Sequence, residues 1–174
     1  MTAPAGGRGD LVLPREISLR PVTDEDRELL FAVYSSTRAD ELALVAWSDD
    51  QKSQFLRHQF QAQDLEYRRA YPDGEFAVIE LSGEPVGRLY LRRGASDTRI
   101  VDLAILPEFR GRGVGGRLLG DLAREADAAA RTLSIHVEAL NSGARRLYER
   151  FGFELAEDKG VYLLLTRRPR TPGG

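Results

Sequence analysis

Residues Ile100 to Gly116, IVDLAILPEFRGRGVGG, run directly into RLLGDLAREADAAA, residues 117–130. A short apolar run closes at Pro107. A loop carrying Arg110 and Arg112 follows, with glycines at 111, 113, 115 and 116, and an amphipathic segment begins at once. The pattern predicts a strand, a glycine loop and a helix N-terminus, a general device for holding an anionic phosphate. Glycines let backbone N–H groups approach a ligand with no Cβ in the way. The first helical turn has unpaired N–H donors and a partial positive charge, and two nearby arginines can neutralise what those donors hold.

Three devices compete for this loop. The phosphate loop of nucleotide hydrolases is excluded, because no Lys-Ser or Lys-Thr pair follows the glycines. The dinucleotide fingerprint G-x-G-x-x-G is matched by Gly111, Gly113 and Gly116, with Glu138 available as the downstream ribose acid. In that fold, however, the first glycine closes the strand directly, whereas Leu106 to Arg110 intervene here. Too little chain follows Glu138 to supply the further parallel units that fold needs.

The third device fits. Arg110-x-x-Gly113-x-Gly115 after an apolar strand, with Asn141-Ser-Gly-Ala-Arg-Arg-Leu-Tyr148-Glu-Arg-Phe-Gly-Phe153 downstream, resembles the paired signatures of the GNAT (general N-acetyltransferase) superfamily. The resemblance extends over Glu16 to Arg168 and is sharpest from Val101 to Phe153. It implies an enzyme that moves an acetyl group from acetyl-CoA directly to a primary amine of a small molecule or peptide. The loop Arg110, Gly111, Arg112, Gly113, Val114, Gly115 and Gly116 would then surround the CoA pyrophosphate. The strand edge at Leu103, Ala104 and Ile105 would hold the pantetheine arm where it splays from the strand at Ile135. Asn141 would contact the cofactor, and Tyr148 would protonate the departing thiolate. A non-catalytic acyl-CoA-binding regulatory module is the rival reading; an acid at position 148 argues for the enzyme, since binding alone needs none.

The residues themselves support part of this. Tyr148 lies two helical turns from Asn141, on the same face, and an ordinary phenol with a pKa of about 10 has a proton to give at neutral pH. For the base, alternation turns Asp102 away from Val101 and Leu103, while His136 and Glu138 share one face of the next strand. The three are expected to meet across adjacent strands, and His136 has the natural pKa for the task. A water relay is the alternative. His58 reads as a surface residue.

The remaining elements follow from periodicity and punctuation. Ile17 to Val22 alternates as a first strand, and Thr23 with Asp26 caps a helix carrying Leu29, Leu30, Val33 and Tyr34. Ser35 to Trp47 reads as a helix break near Arg38 and a short helical piece. Ser48 with Gln51 is a second capping box, opening a helix that runs to about Tyr71. As a lid, this region would select the acceptor: Trp47 as an apolar wall, Glu41 for an ammonium group and Arg38 for a carboxylate. Glu75 to Leu81, Pro85 to Arg92 and Thr98 to Leu106 are joined by short turns and predict antiparallel hairpins. Thr132 to Val137, reached through a helix, should pair parallel to the strand ending at Leu106. Asn141 caps the last helix, and Phe153 to Ala156 with Val161 to Thr166 close the sheet. The predicted fold is α+β: a mixed sheet of about seven strands, antiparallel first and with a parallel pair at the cofactor site, flanked by about four helices.

At 174 residues the chain is expected to be one domain over residues 15–168, with loose tails at 1–14 and 169–174; Arg167 already reads as frayed. With 42% hydrophobic and 30% charged residues and a net charge of −2, it gives no reason to expect nucleic acid. No cysteine is present, which removes disulfides, thiolate metal sites and a Cys-linked acyl intermediate. Two distant histidines do not suggest a metal. No apolar run approaches the roughly 20 residues of a membrane span, so a cytoplasmic protein is expected, and a homodimer is compatible with this reading.

Overall fold

The computed structural model describes residues 16–171; the tail at 1–14 lies outside the described residues. The elements in order are β1 (Ile17–Pro21), a 3₁₀ turn at Asp24–Asp26, α1 (Arg27–Ala43), α2 (Asp49–Ala70), β2 (Glu75–Leu81), β3 (Glu84–Arg93), β4 (Asp97–Ile105), a 3₁₀ turn at Pro107–Phe109, α3 (Val114–Ala128), β5 (Thr132–Glu138), α4 (Ser142–Arg150), β6 (Glu154–Asp158) and β7 (Tyr162–Arg167). The strands form one sheet in the order β1-β2-β3-β4-β5-β7-β6. Among the described residues only β4 and β5 pair in parallel. This is the mixed α+β architecture expected from the sequence. Among the described residues no helix is long and apolar enough to cross a membrane.

Local chemistry explains most of the elements. Ser48 and Gln51 exchange hydrogen bonds at the start of α2, Ser48 N–H donating to Gln51 Oε1 at 2.9 Å and Gln51 N–H to Ser48 Oγ at 3.2 Å. The β2–β3 turn uses positive φ at Ser82 and Gly83, as a tight hairpin turn requires. The α3 stripe of Leu118, Leu119, Leu122, Ala123 and Ala126 is buried throughout. It packs with Ile79, Leu89 and Ile100, and each fully buried Leu or Ile contributes about 1.5–3 kcal/mol relative to exposure. On the opposite face Leu30 and Tyr34 of α1 and Phe60 of α2 pack on Tyr90. The helices thus sandwich the sheet.

Two expectations are corrected. There is no break near Arg38: α1 runs unbroken to Ala43. The Ser36 and Thr37 hydroxyls bond back to the carbonyls of Val33 (2.7 Å) and Tyr34 (2.6 Å), so these polar residues are satisfied without ending the helix. Nor is the chain frayed from Arg167. That residue is 4% exposed and its side chain pairs with Asp127 at 2.8 Å, and the Arg170 N–H donates to the same carboxylate.

The feature that matters for function is in β4. Tyr90 stands opposite Asp102 but Leu91 stands opposite Ile100, so Val101 is an extra residue, a β-bulge. The parallel pairing with β5 stops at the same place, at Ile100 opposite Ile135. Beyond it both strands continue, β4 to Ile105 and β5 to Glu138, without a ladder between them. The sheet therefore opens into a V. Its β4 arm is braced by β3 at Gly87, where a Cβ would stand 2.3 Å from the Ala104 carbonyl oxygen. Gly87→Ala is expected to push the strands apart and cost about 1–3 kcal/mol. Calorimetry should read this as a fall in Tm of several degrees.

Candidate active site

The V between β4 and β5 is the mouth of a cleft that passes between the two helical layers. It is lined from α1 by Thr37 and Arg38, from α2 by Gln63 and Tyr67, and from β3 by Arg88. The arms contribute Val101 to Ala104 and Ile135 to Glu138, and Asn141, Ala144 and Tyr148 close the α4 side.

Antiparallel alternation tells which β4 groups face the gap. Leu106 N–H donates to Val86 O at 2.8 Å, so the N–H groups of Leu106 and Ala104 are turned to β3. Those of Leu103 and Ile105 are turned to the open edge. The Ile105 carbonyl accepts a bond from Arg110 Nε at 2.8 Å, and Arg110 also reaches Ser36 Oγ at 3.4 Å. Arg110 therefore ties the loop to β4 and α1, whereas Arg112 lies over the Phe109 ring at 5.1 Å.

The glycine loop ends in an uncapped helix. Gly113 is the N-cap of α3 with φ 81°, it has no side chain to cap with, and the first turn contains no acidic residue. Gly111 and Gly113 both have positive φ, and a Cβ at either would meet nothing within 4 Å. The start of α3 thus has no capping side chain, and the loop before it leaves open space at Gly111 and Gly113, as an anion site requires. Cβ atoms at Gly115 and Gly116 would make only ordinary contacts, 3.5 Å from Leu147 and 3.8 Å from Phe151. This donor set suits a diphosphate beside an extended thioester arm.

Tyr148 is 5% exposed and stands edge-on to Phe153 with ring centroids 5.4 Å apart. Burial, and then the Asp102 charge, push its phenol well above the ordinary tyrosine value. It holds its proton throughout the neutral range. Asn141 caps α4, accepting from Ala144 N–H at 3.1 Å, and lines the cleft too.

Asp102, His136 and Glu138 all reach the cleft, but not as a mutually bonded trio. The bulge overrides alternation: Val101 packs with the Tyr90 cluster and Asp102 bonds Tyr67, so consecutive residues both face α2. Asp102 Oδ2 accepts from Tyr67 Oη at 2.8 Å and from Arg88 Nη2 at 2.9 Å. His136 bonds through Nδ1 to Arg99, so in the neutral ring Nε2 carries the hydrogen and Nδ1 is occupied. Burial and the Arg99 charge hold this imidazole below its ordinary value, which leaves it neutral at pH 7. Glu138 is exposed in the cleft, with no ion pair among the described residues.

The three lid residues separate. Arg38 lines the cleft, but Glu41 and Trp47 do not. Glu41 pairs with Arg38 along α1 at 3.2 Å, and Trp47 packs on Phe55 at 5.4 Å between centroids. The unbroken α1 carries both away. Sequence reasoning missed Arg88, Gln63 and Tyr67. Arg88 alone left a signal, as the one charge inside the run VGRLYL, which a buried strand tolerates only with a partner.

The comparisons with known proteins agree with this geometry. A family model described as "Acetyltransferase (GNAT) family" matches residues 40–153, well over half of the chain. The chain belongs to the GNAT acetyltransferase family. A Bacillus subtilis protein named for [ribosomal protein bS18]-alanine N-acetyltransferase activity is 35% identical to this GNAT chain over 86 residues, 48% of the chain and 56% of the relative. The mycothiol acetyltransferase of Corynebacterium aurimucosum is 36% identical over 78 residues, 42% of the chain and 26% of the relative. The chain thus spans about half or less of the length of these curated relatives. The structure of the PaiA N-acetyltransferase of Thermoplasma acidophilum with coenzyme A superposes with a TM-score of 0.66 over 88% of this chain and 99% of that one. At 18% identity that likeness is one of fold.

Proposed function

We propose that this GNAT protein transfers an acetyl group from acetyl-CoA directly to a primary amine, in the cytoplasm. The carrying observation is the open V of β4 and β5, set beside the uncapped α3 N-terminus, with a buried protonated tyrosine at its α4 side. Acetyl-CoA would supply the activated acetyl thioester. The N–H groups at the start of α3 bind its diphosphate, and Arg110 holds that loop against β4. An N–H of Leu103 or Ile105 stabilises the negative charge that develops on the thioester carbonyl oxygen. Tyr148 gives its proton to the sulfur as the carbon–sulfur bond breaks.

The base assignment follows from which groups are engaged. Asp102 is held by Arg88 and Tyr67, and His136 Nδ1 by Arg99. Glu138, directly or through a water, takes the proton that the amine loses on forming the amide. We expect kcat/KM to rise with pH as the acceptor's ammonium gives up its proton, and Glu138→Gln to lower the rate by about 10²-fold. His136→Gln should retain the rise: its pKa is lowered, so the ring is already neutral above its ordinary value of about 6.5 and adds no limb there. A flat profile in His136→Gln would return the base role to that residue.

The whole reading is tested by a calorimetric titration with acetyl-CoA and a thiol-release screen over amines, amino acids and peptides. The chain has no cysteine to raise the background. Failure to bind acetyl-CoA would overturn the reading. Binding with no turnover of any amine would favour the regulatory module.

A further inference from the structure

The walls of the cleft differ in chemistry. Where α1, α2 and β3 meet it offers donors. Arg88 is buried, with its side chain 3% exposed, and donates through Nη2 alone to Gln63 Oε1 at 2.8 Å and Asp102 Oδ2 at 2.9 Å. Nη1 makes no hydrogen bond among the described residues, and Arg88 lines the cleft. With its oxygen engaged by Arg88, Gln63 presents an NH₂ donor. Arg88 and Asp102 balance each other, so Arg38 carries the excess positive charge. Its partner Glu41 is on the same helix, with 59% of its side chain exposed, and an exposed pair of this kind contributes little and yields to a better anion. The Tyr34 ring, 5.8 Å away, keeps the guanidinium at the rim.

The β4 and β5 arms offer acceptors. Both bonds recorded for Asp102 fall on Oδ2, leaving Oδ1, and Glu138 stands on the β5 arm. A ligand between these walls is oriented if it has a positive end and a negative end. We propose that the acceptor carries a free carboxylate within a few bonds of its reactive amine, as a free α-amino acid does, and that Arg38 with Arg88 recognises that carboxylate. This rests on the acyl-transfer reading above. A peptide N-terminus would instead set a neutral amide before Arg38.

The test uses matched acceptors: free α-amino acids, their C-terminal amides and the corresponding decarboxylated amines, assayed by thiol release, with acetyl-CoA affinity measured by calorimetry on the same protein. The acids should be turned over with kcat/KM at least about tenfold above their amides, because a charge-assisted bond is lost with the carboxylate. Arg38→Gln should raise KM for the acid by a similar factor, leave KM for the amide in place and leave acetyl-CoA affinity unchanged. Arg38 is the residue to vary, since Arg88 is buried and its loss would strand Asp102. Equal or better turnover of amides or peptides, or an Arg38→Gln effect that falls alike on acid and amide, would overturn the acceptor class while transfer itself stood. Absence of acetyl-CoA binding in the unaltered protein would overturn both.

Discussion

Replacing Tyr148 with Phe is expected to lower kcat by about 10²-fold or more while leaving acetyl-CoA affinity and the fold nearly unchanged. The ring is the structural part of this residue: it is buried and packs edge-on against Phe153 at 5.4 Å, and Phe keeps that contact. The hydroxyl is the chemical part. Burial, with the charge of Asp102 adding to it, raises the phenol pKa, so the group remains an acid at every pH where the protein would work. The sign gives a second readout. An unfolded tyrosine ionises near pH 10 whereas the folded one keeps its proton, so stability falls as pH rises past about 10. The Phe variant should lose part of that alkaline slope. A variant with the full activity of the parent would make Tyr148 a packing residue and pass the acid role to solvent.

Gly113→Asp is expected to reduce CoA affinity by two orders of magnitude or more, on the order of a lost phosphate site carrying several charge-assisted bonds. Two effects act together. The new carboxylate stands where Gly113 now leaves open space, and it can cap the very N–H groups that a diphosphate would use. It also brings like charge to the ligand. The folded protein bears a smaller cost, since φ of 81° strains any residue with a Cβ by about 1–2 kcal/mol, partly offset by the new cap. Gly113→Ala separates the terms, as it adds the strain without the charge. It should bind CoA far better than the Asp variant at a similar or lower Tm. If calorimetry on a folded Gly113→Asp protein gave the parent affinity, the loop would not be a phosphate site.

What the amino-acid sequence determines by itself is whatever depends on near neighbours. The glycine loop and the helix after it, the Ser48–Gln51 box, the Asn141 cap and the buried α3 stripe are each specified within a few residues, where caps, turns and periodicity act. Short connections make β2, β3 and β4 antiparallel and the helical crossover makes β4 and β5 parallel, so the mixed character of the sheet was legible as well. Only the tertiary structure decided the rest. Val101 bulges because β3 and β4 are paired out of step there, and that single inserted residue turns Asp102 towards α2 and opens the V. Arg88, 14 residues from Asp102 and 25 from Gln63, meets both because β3, β4 and α2 converge at one place. Glu41 and Trp47 leave the cleft because α1 stays helical past Arg38, its hydroxyls bonded internally. The bulge and the Arg88 cluster are set by contacts between distant segments, whose partners no local pattern in the chain specifies; the continuity of α1 rests on local bonds that the polar run at 35–38 does not announce.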